Sequence, residues 1–524
     1  MIKSESYKSG IVKSTILNVI AKGIGFINTL IIAYFFGAQI QTDLYYYIVS
    51  VATLLCTTIN GIDLLVLIPE AMRLRSQESE AASQRFMNFF IWAYAAIGLV
   101  FAILAFASPV LFYSTVSKFD LQSLVQNKKM LSVGAIFIFF QLLNNLLAAI
   151  LTSYKYFTTS IVAGLINSVF AILFTVFFQQ KIGIFGTMIG LLIGYLINCI
   201  ILVTMIYKKL VWDFLNVGWV RNKRLWQNIG LMQLNLFPLW IRNIIALYLL
   251  SGVIYTITAL NLGQQICAIP EIFLMANILS VAGIKFSELN AEKKQSEMNI
   301  LFQKLSKIGI PLFSIIASMG VLFSTEITGI IFENMKKINN QNLPLISMVI
   351  CVLLIALPFK FISALSTIII NANQKIKETV FFALTIHTII TISIYFFIKQ
   401  WGLLGYLIGL NMHLILFSII FYYLFHKTLP FIQYNKIFKI LLNNIMLNVF
   451  IALAVLVIKT NLIYHFSNKI ADLFIGSIAY ILIYWIVNEL FNVNDFFKIQ
   501  RLYVYANQIN FKRKSIVRGN SELG

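Results

Sequence analysis

The chain has 524 residues, 60% of them hydrophobic and 11% charged, with mean hydropathy +0.86. Soluble domains use roughly 45–50% apolar and about 25% charged residues, so a soluble globular protein is excluded. The net charge of +21, from 40 Lys+Arg against 19 Asp+Glu, takes its meaning from where the basic residues fall relative to the apolar runs.

In chain order, apolar runs bounded by charges or turn residues fall at about 11–36, 43–68, 86–113, 130–152, 158–179, 184–207 and 226–250. They continue at about 253–285, 304–325, 344–372, 378–398, 402–425, 436–459 and 468–490. A bilayer-spanning helix needs about 20 apolar residues, so the pattern predicts an all-α polytopic membrane protein of about 14 transmembrane helices. The first apolar segment is too long for a signal-peptide core and no A-x-A site follows it, so the first helix is expected to be retained. With a cytoplasmic N-terminus, 28 basic residues fall on the inner side and 9 on the outer side, Lys459 and Lys469 among the latter. This bias predicts both termini inside and accounts for the net charge without nucleic acid. Cys56, Cys199, Cys267 and Cys351 all lie in apolar stretches, with no metal or disulfide spacing.

An internal duplication is legible. GIFGTMIG, Gly183 to Gly190, recurs as GLLGYLIG, Gly402 to Gly409, with three glycines in register at an offset of 219 residues. The same offset sets Phe177-Phe178 against Phe396-Phe397 and Tyr207-Lys208 against His426-Lys427. Six helices separate the copies, so both enter the membrane in the same sense and are related by an axis along its normal. The expected organisation is an N-terminal lobe at 1–207, a cytoplasmic linker at 208–225, a C-terminal lobe at 226–427, two further helices at 428–490 and a basic cytoplasmic tail at 491–524. The tail, with Lys512-Arg513-Lys514, suits anionic lipid.

Polar groups at membrane depth need a hydrated cavity or a partner, because each ionised one costs roughly 2.5–3.5 kcal/mol on insertion scales. The first helix carries Thr15, Asn18, Lys22, Gly25 and Thr29 on one face, and the second carries Thr53, Thr57, Asn60 and Asp63. The seventh carries Asn228, Asn235 and Arg242, and the eighth Asn261, Gln264 or Gln265, and Glu271, which follows Pro270. Lys360, with Ser363 and Thr367, adds a base on the tenth. Amides in membrane helices most often bond neighbouring helices. Asp63 suits interfacial solvation or ion coupling, and Pro270-Glu271 a hinge, an ion ligand or a pairing with a base. Lys22, Arg242 and Lys360 lie too far from helix ends to snorkel, so they are candidates for a cationic cavity between lobes that binds phosphate. His387 and His413 read as packed histidines. No G-x-x-x-x-G-K-[ST] motif occurs, so an ion gradient, membrane potential or substrate gradient is the expected drive. Nothing resembles G-x-S-x-G or H-E-x-x-H, and the longest outer loop, Ser114 to Lys129, is too short for an enzyme domain.

The run Ala21-Lys22-Gly23-Ile24-Gly25-Phe26, then Ala33 to Ala38 (AYFFGA) and Thr42-Asp43-Leu44-Tyr45-Tyr46, resembles the opening of the MurJ lipid II flippase family of the MOP exporter superfamily. Ser251 through Pro270 to Glu288 resembles the same family's second lobe. The resemblance implies a 14-helix, two-lobe, alternating-access fold in the bacterial inner membrane, with helices 1, 2, 7 and 8 lining a cationic cavity for a lipid-linked pyrophosphate saccharide. It implies a non-enzymatic protein without a resident cofactor, apart from a possible coupling ion, and one working as a monomer. Lys22 stands where the family has a cavity arginine, and Asp43 matches its acidic residue. The family's Arg-Asp pair aligns with Ile27-Asn28, its arginine in helix 2 falls near Cys56-Thr57, and its charges before the helix 8 proline fall near Gln265 and Ala268. The substrate-binding candidates are therefore Lys22, Asn28, Asp43, Asn60, Arg242, Gln264, Gln265 and Lys360, with Asp63, Pro270 and Glu271 for coupling or hinging. Those neutral positions leave a Wzx-type O-antigen or capsule glycan open as substrate. A cation-coupled drug exporter of the same superfamily is less favoured, because its cavity should be acidic.

Overall fold

The computed structural model describes residues 7–491 and 493, except residues 221, 336, 339–341, 374–375 and 464–468. The expected tail at 491–524 therefore lies almost wholly outside the described residues. Helices α1 (Tyr7–Phe36) and α2 (Ile40–Ile62) come first, and a π-helical turn (Asp63–Leu67) runs on into α3 (Ile68–Gln77). Next are α4 (Glu80–Ala107), α5 (Pro109–Val116), α6 (Leu121–Gln126), α7 (Lys128–Ser153), α8 (Phe157–Ile182), α9 (Ile184–Leu210) and α10 (Lys223–Leu250). Then α11 (Thr256–Pro270) passes through a second π turn (Glu271–Met275) into α12 (Ala276–Ala291). Finally come α13 (Gln295–Leu322), α14 (Ser324–Phe332), α15 (Asn342–Ile355), α16 (Leu357–Ala372), α17 (Ile376–Thr428), α18 (Tyr434–Ile458), a third π turn (Lys459–Ile463) and α19 (Lys469–Phe491). No β-strand occurs among the described residues.

Among the described residues, eleven helical spans, one of them formed by α11 with α12, are long and apolar enough to cross a membrane, or twelve when α15 and α16, bent by 46°, count as one more. The fourteen expected from the sequence exceed this count at two places. The expected span at 43–68 covers most of α2 and the π turn after it, which are not among those counted. In α17, two apolar stretches run together through Gly402, whose φ of 55° and ψ of −130° break the helix internally. The stretch 114–129, expected as a loop, carries most of the last turn of α5 and all of α6, whose N-cap Asp120 accepts from the Ser123 N–H at 2.8 Å.

Gly402 has a counterpart. Gly183, its match in the duplicated octapeptide, has φ 60° and ψ −147° at the junction of α8 and α9. Both occupy a backbone region essentially restricted to glycine, where a Cβ costs about 1–3 kcal/mol. The repeated motif is thus a helix-reversal device used twice. Gly183→Ala and Gly402→Ala should each lower stability by about 1–3 kcal/mol in equilibrium unfolding, although no atom lies within 4 Å of a Cβ at either site. An unchanged midpoint in both would show that the conformation is not required.

Contacts divide the chain into two compact units. The first comprises Met1–Asn277, Phe332–Val349 and Val380–Leu410; the second comprises Ile278–Ile331, Ile350–Thr379 and Asn411–Gly524. Lipid tails are as apolar as leucine, so packing within a unit depends on close approach more than on burial from water. In the first unit α8 and α9 meet closely: a Cβ on Gly190 would lie 2.5 Å from the Phe170 carbonyl oxygen, and one on Gly194 would lie 2.6 Å from Asn167 Cα. Phe86, Phe90, Leu146, Leu147 and Trp212 join the core that spans α4, α7 and the end of α9. In the second unit Phe323, Ile451, Val455, Tyr480 and Tyr484 pack α13, α18 and α19.

The expected linker at 208–225 is in part an ordered strap within the first unit. Asn88 of α4 is fully buried and clamps it: Nδ2 donates to the carbonyls of Asp213 (2.6 Å) and Asn216 (2.9 Å), and Oδ1 accepts from Trp212 Nε1 at 2.7 Å. Trp92 Nε1 donates to the Phe214 carbonyl at 3.0 Å, and the Gly218 N–H to the Arg85 carbonyl at 3.1 Å. The strap ends at Asn222, whose Oδ1 caps α10 while its Nδ2 donates to Glu70 Oε1 at 3.0 Å. Hydrogen bonds from Arg73 at 2.8–2.9 Å hold the Glu70 carboxyl below its ordinary range.

Candidate functional site

The first unit brings together the helices that carry most of the candidate residues. There α2 packs against both α10 and α11, α1 packs against α11 and the π turn that follows it, and α10 packs against the π turn after α2. Lys22 is exposed on α1, with no hydrogen bond or ion pair to any described residue. Asn28, one and a half turns on, is half-buried, and its Oδ1 has no hydrogen-bond partner among the described residues. Asn60 lies on α2, but its side chain is outside the described residues, as are those of Thr15 and Asn235.

Arg242 is half-buried on α10. Its Nε reaches Asn243 Oδ1 at 3.4 Å, and its Nη1 is buried with no hydrogen-bond partner among the described residues. His387 and Tyr406 of α17 are within electrostatic range of it. Pro238 breaks the regular ladder of α10 one turn earlier, and Thr391 Oγ1 donates to the Pro238 carbonyl at 3.0 Å, fixing α10 against α17. A guanidinium with an unused donor edge is suited to a phosphate oxygen. Gln264 is half-buried and Gln265 exposed on α11. Lys360 lies in the second unit, half-buried on α16 and one turn before Ser363, whose Oγ is 3.4 Å from Ser418 Oγ.

Asp43 is fully buried near the start of α2, and both of its oxygens are engaged. Oδ2 accepts from the Tyr255 N–H at 2.6 Å, and Oδ1 accepts from the Thr258 N–H at 2.7 Å and the Thr258 hydroxyl at 2.5 Å. Tyr255 is the N-cap of α11, in a left-handed conformation (φ 70°) and without a side-chain cap of its own. One carboxylate from a distant helix thus satisfies two of the orphan donors at the α11 N-terminus and meets the positive end of its dipole. Sequence reasoning missed Tyr255 and Thr258. The available signal was the tyrosine just before Thr256, a residue type that does not cap a helix, which left the first N–H groups in need of an outside acceptor.

Asp63 and Glu271 occupy equivalent local positions, each opening a π turn within a long helix. The wider turn carries an i→i+5 bond, here Ile68 N–H to the Asp63 carbonyl and Ala276 N–H to the Glu271 carbonyl. Pro270, at the end of α11, removes one donor just before the second turn. Asp63 is buried against α4, where the Tyr94 hydroxyl donates to its Oδ1 at 2.6 Å, and its Oδ2 has no hydrogen-bond partner among the described residues. Glu271 is half-buried.

Long apolar helices, two of them widened by π turns, define a polytopic membrane protein. A solved structure described as lipid II flippase MurJ in an inward closed conformation has the same fold: TM-score 0.70 and 17% identity, covering 91% of this chain and 99% of that one. An inward-facing multidrug resistance MATE transporter of the MOP superfamily follows at TM-score 0.59 and 12% identity, with 81% and 96% covered. The sequence model of the family of lipid II flippase MurJ matches residues 32–475, and the chain belongs to this family. A curated relative, the probable lipid II flippase MurJ of Borreliella burgdorferi, is 25% identical over 190 residues. That match spans 35% of this chain and 37% of the relative, so well under half of either protein is aligned.

Proposed function

We propose that the protein is a flippase carrying a lipid-linked saccharide, lipid II or a related undecaprenyl-pyrophosphate glycan, from the inner to the outer leaflet of the bacterial cytoplasmic membrane. It acts as a transporter without catalytic chemistry, with both termini cytoplasmic. The observation that carries this reading is the family match over residues 32–475. The site adds the chemistry: Lys22 and the unused donor edge of Arg242 suit phosphate oxygens. Lys360, on α16 of the second unit, is a separate basic candidate. Asn28, Asn60, Gln264 and Gln265 supply amides for sugar hydroxyls. Asp43, bonded to the α11 N-terminus, is the latch that holds α2 against α11 in this conformation and releases when the protein reopens. The π turns at Asp63 and at Glu271 after Pro270 serve as the bending points, and membrane potential or an ion gradient supplies the drive.

A second reading, a Wzx-type O-antigen or capsule glycan as cargo, is favoured by neutral Ile27, Asn28, Cys56, Thr57, Gln265 and Ala268 where the family resemblance expects charges. Depletion in cells separates the readings. A leaflet-accessibility assay should show one lipid-linked precursor trapped on the inner face, and its identity names the cargo. Unchanged outward appearance of every precursor would overturn the flippase reading. Replacing Lys22 and Arg242 by Ala should each lower transport by about 10- to 100-fold, the worth of one charge-assisted hydrogen bond, with expression retained. Full activity in the double variant would remove both from the site.

A further inference from the structure

The strap does more than connect helices. Together with α3 and the start of α4 it encloses a cleft of about 400 Å³ within the first unit, lined by Glu70, Arg73, Glu78, Arg85, Trp219 and Asn222 and floored by Phe86. Its walls are preformed. The Asn88 clamp and the bond from Gly218 N–H to the Arg85 carbonyl fix the strap, and a Cβ on Gly218 would lie 3.0 Å from Arg85 Cβ.

The charges in the cleft divide into two kinds. Glu70 and Arg73 satisfy each other, with Nε and Nη2 of Arg73 at 2.9 and 2.8 Å from the carboxylate, and Arg73 Nη1 bound to Gln77 Oε1 at 2.7 Å. Arg85 and Glu78 are exposed and form no close ion pair with any described residue, although Glu78 lies within electrostatic range of Arg73. One cation and one anion without a close ion-pair partner among the described residues thus face the same space. A simple anion would gain Arg85 but meet Glu78, and a simple cation the reverse. The matching ligand carries both charges.

The position supplies the source. The cleft sits where α4 leaves its polar first turn for an apolar span, beside Trp92, Trp219 and Trp226, the residue type that marks a membrane interface. Trp219 is 77% exposed at its rim. We propose that the cleft binds the zwitterionic headgroup of a phospholipid with a primary ammonium, Arg85 taking the phosphodiester and Glu78 the ammonium, while Trp219 meets the glycerol level. A quaternary ammonium has no N–H to give Glu78, and an uncharged glycerol headgroup leaves Glu78 opposed to the lipid phosphate, so both are bound more weakly.

Native mass spectrometry of the detergent-solubilised full chain tests this with dioleoyl phosphatidylethanolamine, phosphatidylcholine and phosphatidylglycerol at equal concentration. The ethanolamine lipid should be retained about tenfold better than the other two. Arg85→Ala should abolish that preference, and Glu78→Gln should shift it toward phosphatidylglycerol. Equal retention of the three lipids, or a preference that survives both substitutions, overturns the proposal. The wild-type protein gives a test without substitution: soluble glycerophosphoethanolamine should displace the bound lipid where glycerophosphocholine does not. Equal displacement by the two overturns the assignment of Glu78.

Discussion

Asp43→Ala should cost about 3–5 kcal/mol of stability and abolish transport, the largest effect expected of any single substitution in the first unit. Two backbone N–H groups and one hydroxyl lose their acceptor together, and all three lie at the N-terminus of α11, where the helix dipole adds to the loss. Asp43→Asn keeps one acceptor oxygen but turns the other into a donor facing the Tyr255 or Thr258 N–H. It should therefore recover less than half of the lost stability. Asp43→Glu keeps the charge but lengthens the arm by a methylene in a fully buried position, so overpacking limits its rescue. Equilibrium unfolding in micelles and hydrogen exchange over Tyr255–Leu260 provide the measurements. Protection of those amides unchanged in the alanine variant would show that the carboxylate does not hold the α11 end.

The second large effect belongs to Lys459. Its Nζ lies 2.7 Å from Glu326 Oε1, donates to the Leu322 carbonyl at 2.9 Å and sits 5.2 Å from the Phe323 ring centroid. The two side chains are only 10% and 11% exposed, and Thr325 Oγ1 donates to the other Glu326 oxygen at 2.9 Å. Lys459→Ala leaves a carboxylate buried without its cation, which costs about 3–5 kcal/mol. The double replacement Lys459→Met with Glu326→Leu removes both charges and should return the protein to within about 1 kcal/mol of wild type, or above it. A double variant as unstable as Lys459→Ala would mean that the site needs the ion pair itself, not merely electrical neutrality.

How much of this was readable in advance depended on range. Apolar runs and glycine register are local, so the helices, and the conformation shared by Gly183 and Gly402, follow from short stretches of chain. The candidate bases were located the same way: a lysine or arginine inside an apolar run stands out whatever its neighbours. Partners were not readable. Asp43 was singled out by resemblance as a substrate residue, yet here its oxygens are taken by Tyr255 and Thr258, 212 and 215 residues away. Asp63 stands out in an apolar run, but Tyr94 does not, because a tyrosine in an apolar helix looks like core. Lys459 was counted among outer-loop bases because it ends an apolar run; its burial depends on Glu326, which lies on a different helix.

By itself the sequence determined that this protein is built of membrane helices, where its charges stand along them and which faces are polar, because transfer from water to lipid acts residue by residue. Only the tertiary structure decided what each polar group does. A carboxylate can cap a helix, anchor a tyrosine or neutralise a lysine, and the choice rests on which distant donor packing brings within 3 Å.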